Sequence, residues 1–132
     1  MLREYELNFD DLKSFIKTEN DQELKVISDS WIVNKGINSE LKPWLSKEQF
    51  NQIFSDTHEY QSNDTVFVFE SFERIYKGSG LTKRLNESIA LSWANFDAFQ
   101  TTTDILYFYM VPKSLNWVLY ANRDFWQFAK GN

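Results

Sequence analysis

The chain has 132 residues, 42% of them hydrophobic and 17% aromatic, and a formal net charge of −5. That length and composition describe one folded domain rather than a disordered segment, and the acidic balance disfavours direct contact with nucleic-acid phosphate. There is no cysteine, which excludes disulfides, thiol catalysis and thiolate metal sites.

No run of about 18 apolar residues occurs, so a conventional membrane-spanning helix is not expected. Residues 1–12 are charged and lack the apolar stretch of a leader, which points to a cytoplasmic protein. Charge is uneven along the chain. Met1 to Glu73 carries fifteen acidic and seven basic residues, a balance of −8. Arg74 to Asn132 carries four acidic and seven basic, a balance of +3. Five Trp, six Tyr and twelve Phe exceed what a minimal core needs. Either the core is unusually aromatic, or several rings sit at a contact surface.

In chain order, Asn8 can cap a helix over residues 9–18, with Asp10 and Asp11 in its first turn. Phe9, Leu12, Phe15 and Ile16 would form its apolar stripe. Residues 24–33 read as two short strand pieces around a bulge, closed by Asn34-Lys35-Gly36. Residues 37–44 look irregular. Ser46 and Gln49 match a capping box, predicting a helix over 47–55 that turns Phe50, Ile53 and Phe54 inward. Residues 61–64 form a turn signal.

Thr65 to Phe72 is apolar in both alternate sets, as in a strand covered on both faces and therefore central. Gly78-Ser79-Gly80 punctuates the chain. Leu81, Leu85, Ile89, Trp93 and Phe96 recur every three or four residues, predicting a helix over 82–98. Residues 105–111, 117–121 and 125–129 are β-branched and aromatic runs. Turn signals at Pro112 to Asn116 and at Asn122-Arg123-Asp124 join them into an antiparallel meander. The expected fold is therefore α+β over residues 1–132: an antiparallel sheet of about five strands with a C-terminal meander, and about three helices packed on it.

Candidate chemistry is sparse. His58 is the only histidine, and Asp56 and Glu59 beside it do not make a metal site or a catalytic set. The Gly78-Ser79-Gly80 loop completes neither nucleotide-binding glycine pattern. No cofactor and no metal are expected. Asp56, Glu59, Asp64, Glu70 and Glu73 cluster in sequence, and with Tyr60 they are the predicted partner-contact residues.

The stretches Phe108-Tyr109-Met110-Val111-Pro112 and Asn116-Trp117-Val118-Leu119-Tyr120-Ala121-Asn122-Arg123-Asp124-Phe125 resemble the C-terminal end of small bacterial immunity proteins. Those proteins belong to polymorphic-toxin and contact-dependent growth inhibition systems. The likeness covers about a fifth of the chain. It implies a cytoplasmic, non-enzymatic inhibitor that covers the active site of a cognate toxin, with no nucleic-acid or membrane partner. No catalytic residues come with it. Two other classes stay open. One is a ligand-binding domain or small enzyme with a pocket between the sheet and the predicted 82–98 helix, lined by Trp93, Tyr107 and Tyr109. The other is an acidic nucleic-acid mimic of the phage type.

Overall fold

The computed structural model describes residues 7, 9–17, 24–27, 31–38, 45–71, 74–75, 82–83, 86–102, 105 and 107–131. Its elements in chain order are α1 (Phe9–Leu12), β1 (Ile32–Ile37), α2 (Lys47–Phe54), α3 (His58–Ser62), β2 (Thr65–Glu70), β3 (Arg74–Ile75), β4 (Thr82–Lys83), β5 (Asn86–Ala90), α4 (Trp93–Thr102), β6 (Phe108–Pro112), β7 (Trp117–Ala121) and β8 (Phe125–Lys130). The fold is α+β. Six strands form one open sheet in the order β1-β8-β7-β6-β2-β5, antiparallel throughout, and β3 pairs with β4 as a separate ribbon.

Every residue of β6 and β7 is buried. Successive side chains on a strand point to opposite faces, so this burial requires cover on both sides. On one face Val66, Val68, Phe108, Met110, Trp117 and Leu119 meet Phe50 and Phe54 of α2 and Phe96 and Phe99 of α4. The rings interlock at angles: Phe54 lies 5.2 Å from Trp117, and Phe99 meets Phe108 at 5.0 Å and 87°. On the other face Phe69, Tyr109, Val111, Val118 and Tyr120 lie against Leu12, Ile16 and Leu24. Two sheathed faces explain why these strands read as unbroken apolar runs rather than as alternation. They also account for most of the aromatic surplus. Tyr109, Trp117 and Tyr120 are core residues, whereas Tyr107 is 39% exposed.

The capping box forms as its spacing requires. Gln49 N–H donates to Ser46 Oγ (3.2 Å), and Ser46 N–H donates to Gln49 Oε1 (2.9 Å). Buried Gln100 then ties the entry of α2 to α4, its amide accepting from Leu45 N–H (3.0 Å) and donating to the Leu45 carbonyl (3.2 Å).

Four sequence expectations are corrected. The helix over 82–98 does not form: β5 occupies residues 86–90, pairing with β2, and α4 starts only at Trp93. Ser92 caps it, its Oγ accepting from Asn95 N–H (3.3 Å). Ile89, Trp93 and Phe96 reach the same core from a strand and then a helix, so their even spacing imitated one helical stripe. Leu81 and Leu85 lie outside the described residues.

The helix at the start ends at Leu12. Ser14 Oγ bonds the Asp11 carbonyl, and Ile16 bridges antiparallel to Val26, so pairing replaces further helix. Asn34-Lys35-Gly36 does not close a strand but lies inside β1. Gly36 is there for packing: a Cβ would stand 2.6 Å from atoms of the Trp126 indole. Residues 58–62 form the extra helix α3, capped by Thr57 and stopped by Asn63 at φ 54°. No helix among the described residues is long and apolar enough to cross a membrane.

Candidate functional site

The two central strands are sheathed; β1 is not. Five of its six residues are exposed, and its apolar side chains face solvent: Ile32 is 64% exposed, Val33 44% and Ile37 86%. Among the described residues the strand lies at the end of the sheet and pairs with β8 alone. Single exposed aliphatics are ordinary, but three on one unpaired strand edge make a template for another chain.

The ladder shows which backbone groups remain open. Asn38 N–H donates to the Asp124 carbonyl at 2.7 Å, continuing the β1–β8 register. Antiparallel pairs alternate between bonded and non-bonded. Ile32, Asn34 and Gly36 therefore bond to β8, while the amides and carbonyls of Val33, Lys35 and Ile37 point away from the sheet. The β7–β8 ladder agrees: Gly131 N–H bonds the Asn116 carbonyl (2.9 Å) and Asn122 N–H the Phe125 carbonyl (3.1 Å). These bonds commit the odd residues of β8 to β7 and its even residues to β1.

Asn38 anchors the end of this edge. Its amide donates to the carbonyls of Asn122 (3.4 Å) and Arg123 (3.1 Å). Asn122 Oδ1 in turn accepts from Asp124 N–H (2.8 Å) and Phe125 N–H (3.0 Å), fixing the β7–β8 turn.

Beside β1, on the face covered by α2, lies a cleft of about 540 Å³. Ile32 and Asn34 form one wall, Gln52, Ile53 and Asp56 of α2 and its C-terminal turn form another, and Trp126, Phe128 and Lys130 form the floor. The size falls within the usual range for ligand sites. Hydrogen-bonding groups, two opposite charges and an apolar floor meet there.

The predicted contact residues are not gathered into one exposed patch. Asp56 is exposed and lines the cleft. Asp64 is exposed and lies 3.5 Å from His58 Nε2. Tyr60 is half-buried, its hydroxyl donating to Asn51 Oδ1 at 3.2 Å. Glu59 is 8% exposed and Glu70 is fully buried. Glu73 lies outside the described residues, as does the Gly78-Ser79-Gly80 loop. Glu59 serves the core instead. Trp117 Nε1–H donates to its carboxylate at 2.9 Å, so the most buried indole of the core is satisfied from α3.

His58 meets Ser62 Oγ at 3.4 Å as well as Asp64, but both touch the same ring nitrogen, Nε2. A hydrolytic triad needs its nucleophile and its acid on opposite nitrogens, so this exposed trio lacks that relay geometry. Among the described residues no group of three or more His, Cys, Asp or Glu side chains is placed to hold a metal ion.

Sequence reasoning missed β1 as a surface. The only available signal was Ile37, an aliphatic residue directly after Gly36 in a stretch read as irregular. No family model, no curated protein and no solved structure matches the chain.

Proposed function

We propose that the protein is an immunity protein: it binds a toxin domain of a polymorphic-toxin or contact-dependent growth inhibition system and neutralises it by occupying its surface. One observation carries this reading. The centre of the sheet is sheathed on both faces, while the edge strand β1 holds Ile32, Val33 and Ile37 in water and its outer backbone groups are paired with no other strand among the described residues. A chain that kept such an edge without using it would risk indiscriminate pairing. The net charge of −5 adds a long-range attraction for a basic partner, such as a nuclease domain, and speeds encounter. Of the acidic residues expected at the contact, Asp56 adjoins the edge through the cleft and remains in the proposed surface.

The test is coexpression with the toxin domain encoded immediately upstream. Protection of the cells, with a one-to-one complex on purification, supports the proposal. Toxicity undiminished by abundant folded protein counts against it.

The cleft favours a second reading, a small-molecule binding domain, because its polar and apolar groups converge on a ligand-sized space. It lies under α2, not under the helix over 82–98 where a pocket was expected. A compound retained through purification and released on denaturation would favour this alternative. The nucleic-acid mimic draws no support, since Glu59 and Glu70 turn inward rather than forming an exposed stripe.

A further inference from the structure

Resting on the binding reading above, we infer that β1 takes up one extended strand of the partner, antiparallel, with a carboxylate opposite Lys35 between two aliphatic side chains. The backbone fixes the first part. Val33, Lys35 and Ile37 present their amides and carbonyls outward, at the spacing an antiparallel strand needs, while the bonds to β8 remain intact. An added strand would therefore complete three open positions and disturb none already made.

Side chains fix the second part. Val33, Lys35 and Ile37 share one face of the sheet, and all three are exposed. Lys35 stands in the middle and is in no ion pair among the described residues. Directly opposed cross-strand pairs favour like with like for aliphatics and opposite signs for charges. The complementary strand is thus aliphatic opposite Ile37, acidic opposite Lys35 and aliphatic opposite Val33. On the other face its alternate side chains fall beside Ile32 and Asn34, at the mouth of the cleft, so one of them can enter it.

A second copy of this chain fits less well. Two β1 strands continuing one sheet must oppose residues of the same face. One register sets Lys35 against Lys35 of the other copy. Registers shifted by one step set Lys35 against Val33 or against Ile37, and those shifted further pair only one of the three residues, Val33 or Ile37, with its own copy. Lys35 therefore also acts as a guard against self-pairing.

Amide hydrogen exchange on the full chain, read by NMR, tests this with the peptide Thr-Val-Thr-Glu-Thr-Val-Thr as the probe. The amides of Val33, Lys35 and Ile37 should exchange freely alone and slow by about tenfold or more with saturating peptide. Those of Asn34 and Gly36, already bonded to β8, should change little. Replacing the peptide's Glu by Lys should weaken binding by about two- to fivefold, and Lys35→Glu should reverse that preference. Val33→Pro removes an outward donor without touching the β8 ladder and should abolish binding while the melting temperature holds.

No slowing at the three amides would overturn the inference, and so would equal binding of both peptides. Concentration-dependent protection without peptide would assign the edge to a second copy and overturn it too. A toxin complex that leaves these amides unprotected sinks strand addition but keeps the immunity reading. Peptide addition without any toxin binding does the reverse.

Discussion

The strand pair β6–β7 and the edge strand β1 both carry aliphatic side chains, and those side chains meet opposite fates. In β6–β7 every side chain is buried under helices or under the N-terminal segment. In β1 isoleucine and valine stand in water. Apolar content alone does not decide which strand is core; neighbours on both faces and both edges do. The comparison separates residues that hold the fold from residues that are free to meet something else.

The sharpest way to break this separation is at the centre. Trp117→Ala removes a fully buried indole between Phe54 and Phe128. Its unfolding free energy should fall by about 3–5 kcal/mol, measured by chemical denaturation. A loss under about 1 kcal/mol would mean that β7 is not the core described here.

Glu59→Ala probes the same indole from α3. It leaves Trp117 Nε1 without its acceptor and should cost about 1–3 kcal/mol, with Glu59→Gln costing less because an acceptor remains. Equal losses would show that the hydrogen bond contributes nothing. Gly36→Ala tests the inner side of the edge strand. The new methyl collides with the Trp126 ring, so about 1–3 kcal/mol should again be lost. Ser46→Ala, which removes one half of the capping box, should cost about 1 kcal/mol in thermal or denaturant unfolding. Smallest of all is Ile37→Ser. At 86% exposure it should move stability by less than about 0.5 kcal/mol, yet weaken partner binding.

Much of this architecture could be read from the residues. The meander strands and the covered strand at residues 65–70 announce themselves through β-branched and aromatic runs, because burial on two faces favours apolar residues in both alternate sets. Ser46 and Gln49 mark α2 because capping is a local interaction over three residues. What failed was non-local. Residues 86–90 became a strand because β2 had an open side, a fact no periodicity within 82–98 could contain. Gly36 looked like a turn residue because the ring that demands a glycine, Trp126, lies 90 positions away in the chain. The expected contact residues were five acids and Tyr60, and burial divided the acids. Glu59 went to an indole and Glu70 to the interior, whereas the open edge carries aliphatics and a lysine. Exposure is a property of the sheet's order, which spacing along one segment does not encode.

What joins these observations is that β1 faces outward and β6–β7 inward, and under the proposed function the outward strand is the contact. The most direct check of the proposed function is to titrate a toxin domain from a neighbouring reading frame, identified by the coexpression test, against wild-type protein and the Ile32→Ser/Ile37→Ser double variant. Matching melting temperatures and a loss of affinity of at least about tenfold in the variant are expected. Unchanged affinity in an equally stable variant would contradict an outward-working β1.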